Sequence, residues 1–491
     1  MQRGETGMGA GKQARPVAIQ NIRPEQQDHT MIGSRFRILG SAALIGLGFA
    51  GHGMSAQAQV MTPAPVATSP AAATPVVAPA PVPLPAKPAT SAPAPAFVAP
   101  AVTVMQWSAS DAQSLLAVIQ DIGSEGLISA DYKPDTLKAA IAAGEGAALD
   151  AIASKSFTWL TEDLRDGRTP MKARTQWFAF DKDMDLNPTD VVMASALSSH
   201  DIAGTLAALN PTYPDYAVLK DALEATPAAE TKRRAMIRAN MDRWRWLSRD
   251  LGEYYLMTNV PEFQLKLVRK DKIVRTYRTI VGKPGKTATP QLSELVEGVI
   301  FNPTWTVPQS IVVGEGLGRK YSSVAAAKAA GYTLTKSANG MITMVQQPGP
   351  ANSLGLVKLD MPNPHAIFLH DTPSRGLFNQ TFRALSHGCV RTDRARELAI
   401  ALTIIGGGKT ADEAAAISES GVYTKVPMTR TMPVYIGYFT MAKDINGTLS
   451  SFADIYARDM PILASFSQPR ALKTGQRNSE EKVIAIDKPG V

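Results

Sequence analysis

Tyr254-Tyr255-Leu256-Met257-Thr258-Asn259-Val260, followed by Phe263-Gln264-Leu265-Lys266-Leu267-Val268, marks the point where this 491-residue chain changes character. Upstream, apolar residues recur at helical spacing. Here apolar and polar residues alternate, which is the period of a half-buried strand. Arg269-Lys270-Asp271-Lys272 makes a turn. Ile273 to Val281 reads as the next strand, ended by Gly282 and Pro284. Val299-Ile300-Phe301, Ile342 to Val345, Val357 to Leu359, Ala366 to Leu369 and Met432 to Phe439 read as further strands. A single apolar helix is expected at Ala395 to Ile405. Residues 248–460 are therefore expected to form a mostly β, sandwich-like domain. Residues 308–350 interrupt the strand series with a helix-forming Ala325 to Ala330 and flanking glycines, and they read as an inserted lid. Residues 461–491 read as a tail.

Residues 104–247 read as helical. Ser110-Asp111 precedes a periodic run through Leu115, Leu116, Val118, Ile119 and Ile122, closed by Gly123. Leu137, Ile141, Leu149, Ile152, Phe157, Leu160 and Leu164 continue the spacing until Gly167 and Pro170 interrupt it. Shorter helices follow, and a longer one covers Ala229 to Leu247. No catalytic cluster lies in this part, so it reads as a scaffold. The fold class is α+β: a helical N-terminal scaffold domain, then a β-rich domain.

Residues 1–58 read as an extension and an export signal. Arg35-Phe36-Arg37 is a basic start, Ile38 to Ala50 an apolar run, and Ala56-Gln57-Ala58 a small-x-small cleavage site. The apolar run is short for a bilayer span, so contact with the membrane is expected only through the uncleaved signal. Residues 59–103 are dominated by Ala, Pro, Val, Thr and Ser. Proline removes backbone donors and little large apolar surface is present, so this is an extended linker. Lys and Arg total 51 against 43 Asp and Glu, a net charge of +8. No basic cluster interleaves with aromatics, so nucleic acid is not an expected partner. One cysteine in an exported chain rules out an internal disulfide, and the core must hold the domains together.

That cysteine carries the chemistry. It lies in Ser386-His387-Gly388-Cys389-Val390-Arg391, nineteen residues after His370 in Phe368-Leu369-His370-Asp371. Acyl transfer by cysteine needs a thiolate, a base, a group that orients the base, and donors for the oxyanion. Cys389 is the candidate nucleophile and His370, ending a strand, the candidate general base. Asp371, by side chain or carbonyl, is placed to orient His370. Gly388 lets the backbone approach a substrate carbonyl, so the amides near Gly388 and Cys389 are candidate oxyanion donors. The helix after the motif is expected to aim its N-terminus at the sulfur. His387 reads either as a second polar group of the site or as a residue that orients the loop. Arg391 can grip a substrate carboxylate, and its plain alternative is a loop-stabilising bond. A buried, inert Cys389 and a zinc set of His365, His370, His387 and Cys389 are the alternatives at the site; no cofactor and no metal is expected.

His370, followed by Ser386-His387-Gly388-Cys389 and Arg391, resembles the signature of the L,D-transpeptidases, whose catalytic domain is YkuD-like. The likeness extends to Asn302-Pro303-Thr304-Trp305, Gln347-Pro348-Gly349-Pro350, Pro362-Asn363-Pro364-His365 and Asp454-Ile455-Tyr456-Ala457-Arg458-Asp459, which resemble the large Gram-negative branch. The resemblance implies a periplasmic enzyme that attacks the bond after meso-diaminopimelate in a tetrapeptide stem. It releases D-alanine, forms a Cys389 thioester and passes the acyl group to another diaminopimelate amine, giving a 3→3 cross-link. It adds Ser386 and Trp305 as substrate-contacting residues and carbapenems as inhibitors acylating Cys389. An L,D-carboxypeptidase or a protein-to-peptidoglycan transferase would use the same residues. A non-catalytic wall-binding scaffold is the reading from outside enzymology.

Overall fold

The structure, a computed structural model, describes residues 102–179, 187–470 other than 322, 339 and 445, and residues 479, 481 and 482. The expected export signal and nearly all of the linker lie outside the described residues. Among the described residues, no helix is long and apolar enough to cross a membrane.

Among the described residues, seven α-helices precede the first strand: α1 Ala109–Asp121, α2 Pro134–Ala143, α3 Ala147–Asp166, α4 Thr189–Ser199, α5 Ile202–Ala207, α6 Pro214–Ala225 and α7 Thr231–Trp244. α1 starts slightly earlier than the Ser110-Asp111 signal: its N-cap is Ser108, whose side chain accepts from the Asp111 N–H and satisfies an otherwise unpaired donor. Leu115, Leu116, Ile119, Leu149, Phe157, Leu160 and Leu164, the periodic residues of α1 and α3, meet Met193, Ile202 and Leu206 in one core. α6 and α7 do not join that core. Their Tyr216, Leu219, Leu223, Ile237, Met241 and Trp244 pack on Tyr255, Met257 and Tyr435 of the strands that follow. The long helix predicted to end the scaffold is therefore also the surface on which the β-rich domain is seated.

The strands are β1 Tyr254–Asn259, β2 Gln264–Arg269, β3 Lys272–Gly282, β4 Leu292–Leu295, β5 Gly298–Phe301, β6 Trp305–Thr306, β7 Tyr332–Lys336, β8 Ile342–Gln346, β9 Val357–Asp360, β10 Leu369–His370, β11 Ala384–Ser386, β12 Val390–Thr392, β13 Thr424–Pro427, β14 Pro433–Gly437, β15 Met441–Lys443 and β16 Leu449–Ser451. The main sheet has eleven strands in the order β13-β5-β9-β10-β12-β3-β2-β1-β14-β4, with β11 beside β3. Its two halves share one core. Leu256, Leu265, Leu267 and Tyr277 from one half meet Val299, Phe301, Val357, Leu359, Leu369 and Val390 from the other, with Leu398, Ala399 and Leu402 of the apolar helix α11, residues Ala395–Gly406. The expected sandwich is thus a single sheet curled over its own core.

Residues 305–346 form the insert. Three short helices, α8 Gln309–Gly314, α9 Leu317–Lys320 and α10 Val324–Ala329, accompany a separate sheet in the order β6-β8-β7. Val307, Val312, Leu317 and Met344 give it a small core of its own. At the other end, the tail boundary placed at residue 461 falls inside a helix, Asp459–Phe466. The chain beyond it returns to the scaffold, where the Arg470 guanidinium bonds to Asp163 at 2.9 Å and Glu162 at 2.6 Å.

Candidate active site

Two very short strands set the site. β10 and β12 run parallel, with Leu369 opposite Val390 and His370 opposite Arg391. Paired residues in a sheet share a face and successive residues alternate. Leu369 and Val390 therefore enter the core, where both are fully buried. Phe368, His370, Cys389 and Arg391 take the opposite face, and all four line one cavity of about 150 Å³. Trp305, Ile311, Glu315, Leu317 and Tyr332 close it from the insert, and Ser386 and His387 complete its rim. The sequence reading placed Trp305 here through the family resemblance. It did not identify Ile311, Glu315, Leu317 or Tyr332, because nothing in the local pattern of the insert tells which of its residues reach the cavity.

His370 is buried. Burial first, and the neighbouring Arg391 guanidinium second, push its imidazole down to about 3, although the backbone of Asp371 and Leu354 pulls the other way. The ring is neutral at physiological pH and can accept a proton. Cys389 is half-buried, and its Sγ lies 3.7 Å from the Ala366 carbonyl. Arg391 stands beside it. Its burial lowers its affinity for a proton and the Cys389 sulfur restores some of it. No Asp or Glu among the described residues pairs with Arg391, and its buried Nε makes no hydrogen bond.

The side chain of Asp371 does not turn to the imidazole. Its carboxylate accepts from the Leu356 N–H at 2.9 Å and pairs with Arg375 at 2.8 Å. The close fit requires Gly355, whose φ is 64° and whose Cβ, if present, would lie 2.4 Å from the Asp371 Cγ. Of the two routes the sequence left open for Asp371, the side-chain one is not taken, and the buried His370 Nδ1 makes no hydrogen bond.

Gly388 has φ 127°, which only glycine takes at little cost. Its N–H, expected to face an oxyanion, donates instead to Ser386 Oγ at 3.0 Å, and that hydroxyl donates to the Cys389 carbonyl at 2.6 Å. Ser386 is fully buried and ties the turn that presents the sulfur. The Gly388 carbonyl accepts from the Thr289 hydroxyl at 2.6 Å. Carbonyl and following N–H belong to one planar trans peptide, so the Cys389 N–H points away from Thr289.

α11 begins at Ala395, three residues after β12 ends at Thr392, and the Arg391 guanidinium supplies positive charge beside Cys389. His365, in the alternative zinc set, is buried with its ring centroid 4.2 Å from that of Phe178. Among the described residues, no three His, Cys, Asp or Glu side chains are grouped as metal ligands.

Residues 253–436 match the family described as the L,D-transpeptidase catalytic domain, and residues 104–223 match a scaffold-domain family. A curated protein of Haemophilus influenzae named "Putative L,D-transpeptidase" is 28% identical over 222 residues, 42% of this chain and 45% of that protein. The chain thus spans less than half the length of that relative. Among solved structures, an L,D-transpeptidase from Mycobacterium smegmatis is 15% identical with a TM-score of 0.20, over 38% of this chain and 58% of that one. An L,D-transpeptidase in complex with imipenem is 15% identical with a TM-score of 0.18, over 37% and 58%.

Proposed function

We propose that this chain, in which an L,D-transpeptidase catalytic domain follows a scaffold domain, forms 3→3 cross-links in peptidoglycan through a Cys389 thioester. It works outside the cytoplasm, in the periplasm, reached by export and spaced from the membrane by its Pro/Ala-rich linker. The observation that carries the reading is the register of β10 on β12. That register sets a neutral His370, the only cysteine of the chain and an unpaired Arg391 on one face above one cavity.

His370 takes the thiol proton as the sulfur attacks the carbonyl carbon of the diaminopimelate residue. With a basicity near 3 the imidazole does not hold that proton in the resting enzyme, so proton transfer accompanies attack. We assign the Cys389 N–H, turned away from Thr289, as the backbone donor to the developing oxyanion. When the tetrahedral species collapses, the D-alanine nitrogen leaves with the proton held by His370. An acceptor amine then attacks the thioester, loses its proton to His370 and expels the thiolate. Arg391 holds a substrate carboxylate. Binding that carboxylate also offsets the Arg391 share of the depression of His370, which is second to burial, so the base strengthens when substrate is present.

Transfer, not hydrolysis, is favoured by a second cavity of about 420 Å³ that adjoins the first and shares Trp305, Leu354 and Phe368 with it. It offers a place for the acceptor stem. The test incubates the exported chain, wild type and Cys389→Ala, with a tetrapeptide muropeptide and reads products by mass spectrometry. Cysteine-dependent D-alanine release with a cross-linked dimer is expected. Tripeptide alone would make the protein an L,D-carboxypeptidase, and transfer only to a protein amine would make it an attachment enzyme. No cysteine-dependent product would leave a wall-binding scaffold. A carbapenem is expected to add covalently to wild type and not to Cys389→Ala.

A further inference from the structure

Thr289 is fully buried and does not line the cavity, yet it holds the turn that carries the nucleophile. Its hydroxyl donates to the Gly388 carbonyl at 2.6 Å and accepts from the Gly282 N–H at 2.9 Å. Its own N–H donates to the Tyr456 hydroxyl at 3.2 Å, and that hydroxyl donates to the Gly282 carbonyl at 2.5 Å. Thr289 and Tyr456 thus join the end of β3 to the Gly388–Cys389 peptide. The hydroxyl has one proton and both of its roles are filled, so its orientation is determined.

The network continues to the scaffold. The ring of Tyr456 stacks on Tyr438 with centroids 5.6 Å apart. The Arg458 guanidinium lies over both rings, 4.9 Å from Tyr456 and 5.1 Å from Tyr438. Arg458 in turn donates to the side-chain carbonyls of Gln291 and Gln176. Gln176 belongs to the segment after α3, where Trp177 bridges to Gln291 in parallel and the Phe178 N–H donates to the Gln291 carbonyl at 2.9 Å. Gln176 itself takes φ 51°, a conformation that a non-glycine residue holds only when its surroundings require it. The same segment reaches the nucleophile from a second side. The Phe178 ring packs on His365, whose neighbour Ala366 places its carbonyl 3.7 Å from the Cys389 Sγ.

We propose that Thr289 is a positioning residue for the Cys389 nucleophile, and that the scaffold segment Gln176–Phe178 braces the same turn through Arg458 and Tyr456. The inference rests on the reading of Cys389 as nucleophile. It gives the scaffold a part in the chemical step: through this brace the segment acts on the position of the sulfur, and substrate affinity is untouched.

The test uses the full exported chain as wild type, Thr289→Val, Thr289→Ser and Gln176→Ala. Two readouts are taken: kcat and KM for D-alanine release, and the pH profile of iodoacetamide alkylation. Alkylation joins sulfur to the acetamide carbon with loss of iodide and a proton. It reports Cys389 alone, because the chain has no other cysteine. Valine keeps the shape and loses the hydroxyl, so Thr289→Val is expected to lower kcat about tenfold to a hundredfold with KM unchanged and to displace the alkylation profile. Thr289→Ser restores the hydroxyl and is expected to stay within about threefold of wild type. Gln176→Ala is expected to lower kcat several-fold, again at constant KM. Wild-type kcat and alkylation in Thr289→Val would overturn the proposal, as would a serine variant as slow as valine. Wild-type behaviour of Gln176→Ala would overturn the scaffold part. If wild type releases no D-alanine, the function proposed above fails, and the alkylation profiles still decide the positioning role.

Discussion

A neutral His370 makes the fold sensitive to acid in a way that can be calculated. The native imidazole is pushed down to about 3, against an ordinary value of 6.5 in the unfolded chain. Between those two values the unfolded state binds a proton that the native state refuses. Stability from this group is therefore complete above about pH 6.5 and is lost as pH falls, levelling only near pH 3. From pH 7 to pH 5 the loss is about 2 kcal/mol, since the slope reaches about 1.4 kcal/mol per pH unit. His370→Gln removes the group. The difference in unfolding free energy between wild type and His370→Gln is expected to shift by about 2 kcal/mol across that interval, with the variant gaining on wild type. Urea unfolding followed by tryptophan fluorescence at pH 7, 6 and 5 measures it. Taking the difference matters, because other buried groups titrate too. His365, lowered by burial, adds loss of the same sign. Asp371, raised by burial, works oppositely, binding its proton more readily when folded. Both cancel in the comparison. Parallel curves for the two proteins would refute the reasoning, because His370 would then titrate alike folded and unfolded.

Arg391→Gln removes a guanidinium that has no carboxylate partner within the described fold, so the variant is expected to fold normally while KM rises about tenfold to a hundredfold. The acidic limb of kcat/KM is expected to move to higher pH, because the charge that lowers His370 is gone. Arg470→Ala removes the guanidinium that bonds both carboxylate oxygens of the fully buried Asp163, at 2.9 and 3.1 Å. A loss of about 3–5 kcal/mol is expected in thermal or urea unfolding. Gly355→Ala sets a Cβ 2.4 Å from the Asp371 Cγ at φ 64°. It is expected to cost about 1–3 kcal/mol and to lower kcat by displacing the strand that ends in His370, read by melting temperature and D-alanine release.

What the sequence makes legible here is what repeats locally. Gln264 to Val268 alternates, and β2 is found there; Leu115 to Ile119 keeps helical spacing, and α1 buries those residues. His370 and Cys389 are legible because each residue type is rare in the chain and chemically distinct. Their meeting depends on β10 and β12, strands of two and three residues, which are too short for any period to reveal. The direction of Asp371 was also hidden. It is set by the Leu356 N–H and by Arg375, and choosing the side chain or the carbonyl requires the turn at Gly355. Thr289 is the extreme case. It touches Gly388 across 99 residues and Tyr456 across 167, and nothing in Thr287-Ala288-Thr289-Pro290 sets it apart from a loop threonine. The run Asp454 to Asp459 could be read from sequence only as a likeness. In the fold it has a physical use: Tyr456 and Arg458 are the span between the turn that presents the sulfur and a scaffold segment some 280 residues upstream, with Arg458 bonded to Gln176 at a separation of 282. A site made this way spreads its supports over the whole chain. Substitutions at the scaffold's inner edge should therefore slow the sulfur while leaving the visible motif intact.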